Sequence, residues 1–424
     1  MNRLLLLCVL LGLGLPMYGQ FGLQVQFLRN HIASQHYQPA HILYQDIETF
    51  GVGGDATFWM ASNSFTLDGL LKGGNFITDE TKADLIAQMG DNNRFGQGLD
   101  FSYGILNLKL GKRVWSIGAR DVQGSYSGTN DPNTAGIVLY GNSQYAGETV
   151  SDEDVFSNTQ RYREISIGTG FDLGKWKLGI RGKVVLGAQA TLIRDVDFSL
   201  FTAADGSQID LQAQYDAFFL ENRLGINGIG GGIDIGAVAE LNERISVQAS
   251  ILNIGLIRWD GIAFRDTVDF TYEGFLIDDF IGGGSQFTGT DSLQELIFPD
   301  SVFEKQNSML PTTVSLGLSY KLSDNGTLLA SLHSGLTRYA PYTPVPILNI
   351  GYQHALWKQR ITLGANAYGG GLELYGIGLM GAANIPLKDK MRLTLFGSMD
   401  NALGLLLPAA SRGLAMSIGV GFVY

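Results

Sequence analysis

From Thr313 to Lys321 the chain alternates strictly: Val314, Leu316, Leu318 and Tyr320 fall on one face, and Thr313, Ser315, Gly317, Ser319 and Lys321 on the other. A period of two marks a β-strand with one apolar and one polar face. The C-terminal segment repeats it, with Leu414, Met416, Ile418, Val420, Phe422 and Tyr424 opposite Ala415, Ser417, Gly419, Gly421 and Val423. So do Ile245, Val247, Ala249 and Ile251 against Ser246, Gln248 and Ser250; Ile233, Ile235, Ala237, Ala239 and Leu241 against Asp234, Gly236, Val238 and Glu240; and Met391, Leu393 and Leu395 against Arg392, Thr394 and Phe396. These runs last about ten residues, longer than the soluble-strand mode of roughly 5–6 and matched to the roughly 9–11 that a tilted strand needs to cross a bilayer. A soluble sandwich would bury the same apolar face as its core, and alternation alone does not separate the two.

Turn spacing orders the strands. Short connections occur at Gly111-Lys112, Gly174-Lys175, Asn242-Glu243, Ser323 to Gly326, Trp357 to Gln359 and Lys388 to Lys390, and long ones elsewhere. Up-strands are predicted near Gly53 to Ser62, Arg113 to Val122, Trp176 to Leu192, Arg244 to Leu256, Thr327 to Arg338, Arg360 to Gly370 and Met391 to Asp400. Down-strands follow near Phe95 to Leu110, Arg161 to Leu173, Gly230 to Leu241, Thr312 to Leu322, Ile347 to Leu356, Leu372 to Leu387 and Gly413 to Tyr424. The expected fold is all-β: a transmembrane antiparallel β-barrel of about fourteen strands, with every short turn on the side that also carries both ends of the wall. Val196 to Phe218 reads as a hairpin around Asp205-Gly206 projecting outside; placed in the membrane, it would raise the count to about sixteen. Trp115, Trp176, Trp259, Trp357, Tyr320 and Tyr424 lie near strand ends and are expected in interfacial girdles.

Three stretches break the strand pattern. Phe21 to Phe50 has no alternation, carries Pro39 with His31, His36 and His41, and is long enough to fold into the lumen as a plug. Thr66 to Gly90 reads as helical, with Leu67, Leu70 and Leu71 followed by the capping run Thr78-Asp79-Glu80-Thr81 before Leu85, Ile86 and Met89. Phe275 to Phe298 offers two more short helices around Gly282-Gly283-Gly284. Both helical stretches fall in outer loops.

The first residues set the compartment. Met1-Asn2-Arg3, the apolar run Leu4 to Leu15 and Pro16 to Gly19 form a secretory leader, cut after Gly19. The expected division is thus 1–19 leader, 20–52 plug segment and 53–424 barrel, located in the outer membrane with its lipid as the surrounding partner. Cys8 leaves with the leader, so no disulfide is available to the mature chain.

Composition agrees and removes alternatives. With 57 Gly and only 16% charged residues the chain is rich in strand and turn formers, and a net charge of −11 offers no basic face for nucleic acid. Gly376 to Gly381 matches the dinucleotide-binding spacing but sits inside a strand pattern with no helix to hold a pyrophosphate. No nucleophile elbow and no zinc-protease spacing occurs, so neither an enzyme nor a cofactor is expected. His31, His36 and His41 recur every five residues, on no common helix or strand face, and hydrogen bonding is the preferred reading over metal ligation. Asp152-Glu153-Asp154 and Asp278-Asp279 fall in outer loops, where solvation is preferred over calcium. Lys109, Arg120, Arg181, Lys183, Asp234, Glu240, Lys321 and Arg392 all project to the polar face. They are tolerable there only if lumenal, since Lys or Arg at the bilayer midplane costs roughly 2–4 kcal/mol. Ion pairing between wall and plug is the first expectation for them, and ligand binding in the lumen the second.

The order of elements resembles a family of uncharacterised Bacteroidota outer-membrane barrels, themselves similar to the long-chain fatty-acid transporter and to shuttle barrels of the type 9 secretion system. The residues that carry the resemblance are Gln38-Pro39-Ala40, where relatives have Asn-Pro-Ala, then Asn63 to Leu71, the helix before Asp91-Asn92-Asn93, and a first hairpin from Gly98 to Gly118. The resemblance implies a fourteen-stranded barrel with an N-terminal hatch and lateral passage of a hydrophobic small molecule. The alternative is a non-transporting scaffold that holds surface or secretion proteins.

Overall fold

A computed structural model describes residues 22–68, 78–220, 225–272, 301–337, 346–387 and 390–424. The expected leader, Leu70-Leu71, the helices of Phe275 to Phe298 and Asp278-Asp279 lie outside the described residues. The strand segments are β1 Phe50–Ser62, β2 Asn93–Leu110, β3 Arg113–Thr129, β4 Thr149–Leu173, β5 Trp176–Thr202, β6 Ile209–Phe219, β7 Gly228–Glu240 and β8 Ile245–Tyr272. They continue as β9 Ser301–Met309, β10 Thr313–Lys321, β11 Gly326–Gly335, β12 Ile347–Leu356, β13 Ile361–Gly370, β14 Tyr375–Pro386, β15 Arg392–Met399 and β16 Gly413–Val423.

All pairings are antiparallel, and the wall closes on itself. β16 pairs β1 from Gly51 opposite Val423 to Ala61 opposite Gly413, and β10 pairs β8 from Thr313 opposite Leu252. Sixteen segments occupy fourteen wall positions because two down-strands are interrupted. β6 and β7 run the same way and share β5 and β8 as neighbours, β6 against their outer parts and β7 against their inner parts. β9 and β10 likewise share β8, broken at Leu310-Pro311-Thr312, where proline has no N–H to give the ladder. The hairpin at Asp205-Gly206 forms as expected, with Gly206 at φ 71° and its N–H donating to the Ala203 carbonyl. It extends the wall outward and adds no transmembrane strand.

Which face is greasy decides the environment. Leu316 is 50% exposed and Ile418 63%, whereas Ser417, between Met416 and Ile418, is 1% exposed. Outward-facing Leu, Ile, Val and Phe continue this way around the wall, through Ile117, Ile165, Ile180, Ile235, Leu348 and Leu379. A contiguous exposed apolar belt of that extent is a lipid-facing surface, not the exterior of a soluble sandwich.

Two sequence expectations are corrected. β4, β5 and β8 run 25, 27 and 28 residues, well past the expected ends at Arg161, Leu192 and Leu256. Their outer parts carry Ser, Thr and Asp on the exterior, so the apolar period stops while backbone pairing continues. Trp259 is not in a girdle: it is fully buried inside the barrel, its Nε1 donating to Ser308 Oγ at 2.7 Å, in space left by Gly187 and Gly228. Trp176 and Trp357 do stand exposed beside the short turns.

The expected capping run forms helix α1, Asp79–Ala87, with Thr78 Oγ1 accepting from the Thr81 N–H. A second helix that the sequence reading passed over, α2 at Pro132–Tyr140, packs on α1 through Tyr140, whose hydroxyl donates to the Asp79 carbonyl at 2.6 Å. Gly376 to Gly381 lies within β14. β1 begins at Phe50 rather than Gly53.

Candidate functional site

The lumen of the barrel is lined in three layers. The lowest is the segment before β1. Three 3₁₀ turns, Val25–Phe27, Ile32–His36 and Pro39–Tyr44, fold it compactly, capped by His31 Nδ1 accepting from the Ala33 N–H and Gln38 Oε1 accepting from Ala40. It reaches opposite sides of the wall. Gln24 donates to Asn366 on β13 at 2.6 Å, Gln26 to Ser331 on β11 at 3.2 Å, and Gln38 Nε2 to the carbonyls of Ala237 on β7 and Ala249 on β8. Gly22 N–H donates to the Asp400 carboxylate just beyond β15, and Tyr44 donates to Glu240 at 2.9 Å. Gln38-Pro39-Ala40, the residues that carry the family resemblance, sit against bare backbone. A Cβ on Gly179 would stand 2.2 Å from the Pro39 carbonyl carbon, and one on Gly236 would overlap Gln38 Oε1.

Burial holds His31 and His41 of this segment neutral. His31 is pushed down to about 4 and His41 to about 3, in both cases by desolvation first, with the nearby Arg29 guanidinium adding to the effect at His41. Each takes its own partner: Ala33 N–H for His31, Ser34 Oγ for His41 at 3.1 Å, and Asp55 on β1 for His36 at 3.0 Å.

The second layer is a belt of charge at mid-wall. Arg120 on β3 bridges Asp100 on β2 (3.0 Å) and Glu164 on β4 (2.7 Å). Lys183 on β5 joins Glu164 (3.3 Å) to Asp234 on β7 (3.0 Å), and Arg181 closes on Asp234 at 2.6 Å. A bulge turns Asn253 of β8 inward, at φ 60°, where its Oδ1 accepts from Lys183 at 2.6 Å. The belt is nearly closed electrostatically: carboxylates at Asp55, Asp100, Glu164 and Asp234 face cations at Arg120, Arg181 and Lys183, and the remaining basic group is His36, contributed by the N-terminal segment.

Arg120, Arg181, Lys183 and Asp234, expected on the lumenal face, point inward, and their partners are mainly other wall strands rather than the N-terminal segment. Glu240 and Arg392 do meet that segment, through Tyr44 and through the Gln45 carbonyl at 2.6 Å. Lys321 lines a cavity of about 560 Å³ at the short-turn end with Arg29, Tyr44 and Glu240, and Lys109 stands exposed at the same rim. Neither lysine forms an ion pair among the described residues. Asp55, Asp100, Glu164 and Asn253 were missed. Parity would have found Asp100 and Glu164, since each sits between outward-facing apolar or aliphatic-stemmed neighbours; Asp55 and Asn253 are hidden by register breaks.

Two residues further up each strand, at the next inward position, the chemistry changes. Val122, Tyr162 and Val185 follow Arg120, Glu164 and Lys183 on the inward face, and with Leu192, Phe218, Ile257, Trp259 and Leu310 they make an apolar cluster. A second cluster, Trp59, Tyr126, Phe156 and Leu372, lies across the same outer lumen. Beside it Glu373 accepts from the Tyr368 hydroxyl and from Asn401 at 2.9 Å, and burial pushes its carboxyl up to about 7. Asp152, expected as a solvated loop acid or calcium ligand, is instead buried. It accepts from Thr129, Thr134 and the N–H groups of Asn130, Asp131 and Glu153, which uses up its oxygens as a clasp for the loop leading into α2.

One of the register breaks in the wall lies beside an exterior depression. β1–β2 pairing jumps between Gly53 opposite Ile105 and Ala56 opposite Phe101, leaving Gly54, Asp55 and Ser102 to Gly104 out of the ladder. An apolar depression of about 620 Å³ marks it on the exterior, lined by Val52, Gly54, Phe101, Tyr103, Ile418 and Phe422, with the His36–Asp55 contact on its inner side.

A family profile described as a family of unknown function, DUF5723, matches residues 49–404. The chain belongs to that family. The DUF5723 match opens beside the first residue of β1, so the segment inside the lumen precedes it. No curated protein matches the chain. Among solved structures the chain is similar to a Pseudomonas aeruginosa FadL homologue (13% identity, 96% of this chain and 97% of that one, TM-score 0.46). It is also similar to the Pseudomonas putida toluene transporter TodX (10% identity, 92% of each, TM-score 0.43) and the Ralstonia pickettii toluene transporter TbuX (10%, 92% and 93%, 0.43).

Proposed function

We propose that this DUF5723 protein is an outer-membrane channel for hydrophobic small molecules, with residues 22–49 as its plug and residues 1–19 as a cleaved export leader. The observation that carries the reading is the layering of the lumen. An aromatic, apolar outer layer of packed side chains around Trp59 and Trp259 is set directly on a charge-compensated floor and an inserted segment. A water-filled pore gains nothing from burying indole and phenyl rings in its interior. A chamber that receives apolar solutes gains their transfer free energy, about 25 cal/mol per Å² buried. The belt and plug block a straight path, so the proposed exit is lateral, through the depression at the β1–β2 register break. No catalytic role is proposed.

The test is solute passage in proteoliposomes, with toluene and oleate as probes, for the native protein and for Gly179→Val, which crowds Pro39. Uptake by the native protein that rises in the variant supports the channel. No binding and no passage by either protein overturns it. A scaffold for surface or secretion proteins is the second reading, favoured by the filled lumen and the long wall extensions of β4, β5 and β8. Stable co-purification of a partner from native membranes, together with failure of passage, would select it.

A further inference from the structure

On the exterior of β2–β4 the apolar belt ends in a polar cluster that no part of the lumen explains. Asp121 on β3 points outward, as Ile117 and Ala119 do below it, and it is held by three side chains. Arg161 on β4 grips it with Nε and Nη2, both at 3.0 Å, Arg163 approaches with Nε at 3.4 Å, and Tyr103 on β2 donates its hydroxyl at 3.1 Å. Both arginines remain open to the exterior, at 41% and 52% side-chain exposure, and one carboxylate meets two guanidinium groups. The patch keeps a net positive charge, and the terminal nitrogens of Arg163 have no acceptor among the described residues.

Height fixes what lies opposite. Up β4 from the turn at Gly174 the outward residues are Phe171, Ile167 and Ile165, then Arg163 and Arg161, then Thr159 and Ser157. At a rise of about 3.3 Å per residue and a tilt of about 40°, Arg163 stands about 28 Å above the turn, where an apolar band about 25 Å tall gives out. β5 agrees: its outward apolar residues stop near Leu186, followed by exposed Gln189, and on β3 and β4 Ser125 and Thr159 pair through their hydroxyls at 3.0 Å above the arginines. Tyr103 packs edge-on against Phe101, centroids 5.4 Å apart, an aromatic pair at the same boundary.

We infer that Arg161 and Arg163, positioned by Asp121 and Tyr103, form a binding site for the phosphate group of an outer-leaflet lipid. A guanidinium fork matches a phosphate bidentately, and at a membrane boundary it is partly desolvated, so the pairing is stronger than in bulk water. Asp121 sets the forks at a fixed angle and prevents Arg161 from folding back over the apolar belt. The site rests on the membrane orientation proposed above but not on transport, and failure of solute passage leaves it standing.

The experiment is native mass spectrometry of the purified barrel in neutral maltoside micelles, titrated with diphosphoryl lipid A or with its dephosphorylated counterpart. The expected result is retention of diphosphoryl lipid A at least about tenfold above the dephosphorylated lipid. In Arg163→Gln, which leaves the Arg161–Asp121 pair intact, that preference should fall about tenfold, and Arg163→Lys should keep part of it. Equal retention of the two lipids by the native protein overturns the proposal without recourse to any variant. So does an undiminished preference in Arg163→Gln, with folding verified by heat-modifiable gel mobility. Displacement of the lipid by an equal concentration of inorganic phosphate would overturn the assignment to a lipid.

Discussion

Arg120 joins β2, β3 and β4 inside the lumen, and its removal leaves Asp100 and Glu164 buried without it. Breaking a buried pair from one side costs about 3–5 kcal/mol, because the stranded charge keeps its desolvation penalty. Arg120→Met should therefore lower unfolding stability in micelles by that order, read from urea titration with gel mobility. A loss below about 1 kcal/mol, the scale of an exposed pair, would mean that water reaches the belt. His31 and His41 make a different prediction. Their values in the folded barrel, about 4 and about 3, lie below the ordinary 6.5, so the displaced segment binds more protons than the docked one whenever pH is under 6.5. Docking is then complete above pH 6.5 and weakens as pH falls toward 4. Limited proteolysis of residues 22–49 across that range should show increasing cleavage, and His31→Gln with His41→Gln should flatten the profile.

Among elements, the N-terminal segment is held by close backbone contact more than by charge. Gly179 and Gly236 let Gln38-Pro39-Ala40 lie directly on β5 and β7. Gly179→Val should drive the segment out of register while leaving the lipid-facing side of β5 untouched, and planar-bilayer recordings should show conductance rising above that of the native barrel. Unchanged conductance alongside a protease-accessible segment would show that the belt, not the segment, closes the lumen. The outer helices depend on another small device. Asp152→Ala removes the acceptor for two hydroxyls and three backbone N–H groups and should expose the loop before α2 to proteolysis, with no loss of barrel gel mobility.

For the whole molecule, the exposed apolar belt predicts retention in the membrane pellet after alkaline carbonate. Ile180→Arg, near mid-belt, should cost about 2–4 kcal/mol, and Leu110→Arg, beside a short turn, only about 0–1 kcal/mol. Much of this architecture was legible without coordinates. Alternation at period two, the left-handed glycines of the short turns at Gly111 and Gly174, and strand lengths beyond soluble norms specify a membrane barrel with about fourteen wall positions, because parity and turn chemistry are local properties. The inward placement of Arg120, Arg181, Lys183 and Asp234 followed from the same parity. What the one-dimensional pattern lacked was anything set by register between strands far apart in the chain. Whether Arg120 meets Glu164 or the N-terminal segment, whether Trp259 points into lipid or lumen, and how Asp55 comes to face His36 all turn on cross-strand alignment and on breaks in it at Gly53 and Asn253. A one-residue break reverses which face a side chain takes, so those positions were decided only when the wall closed in three dimensions.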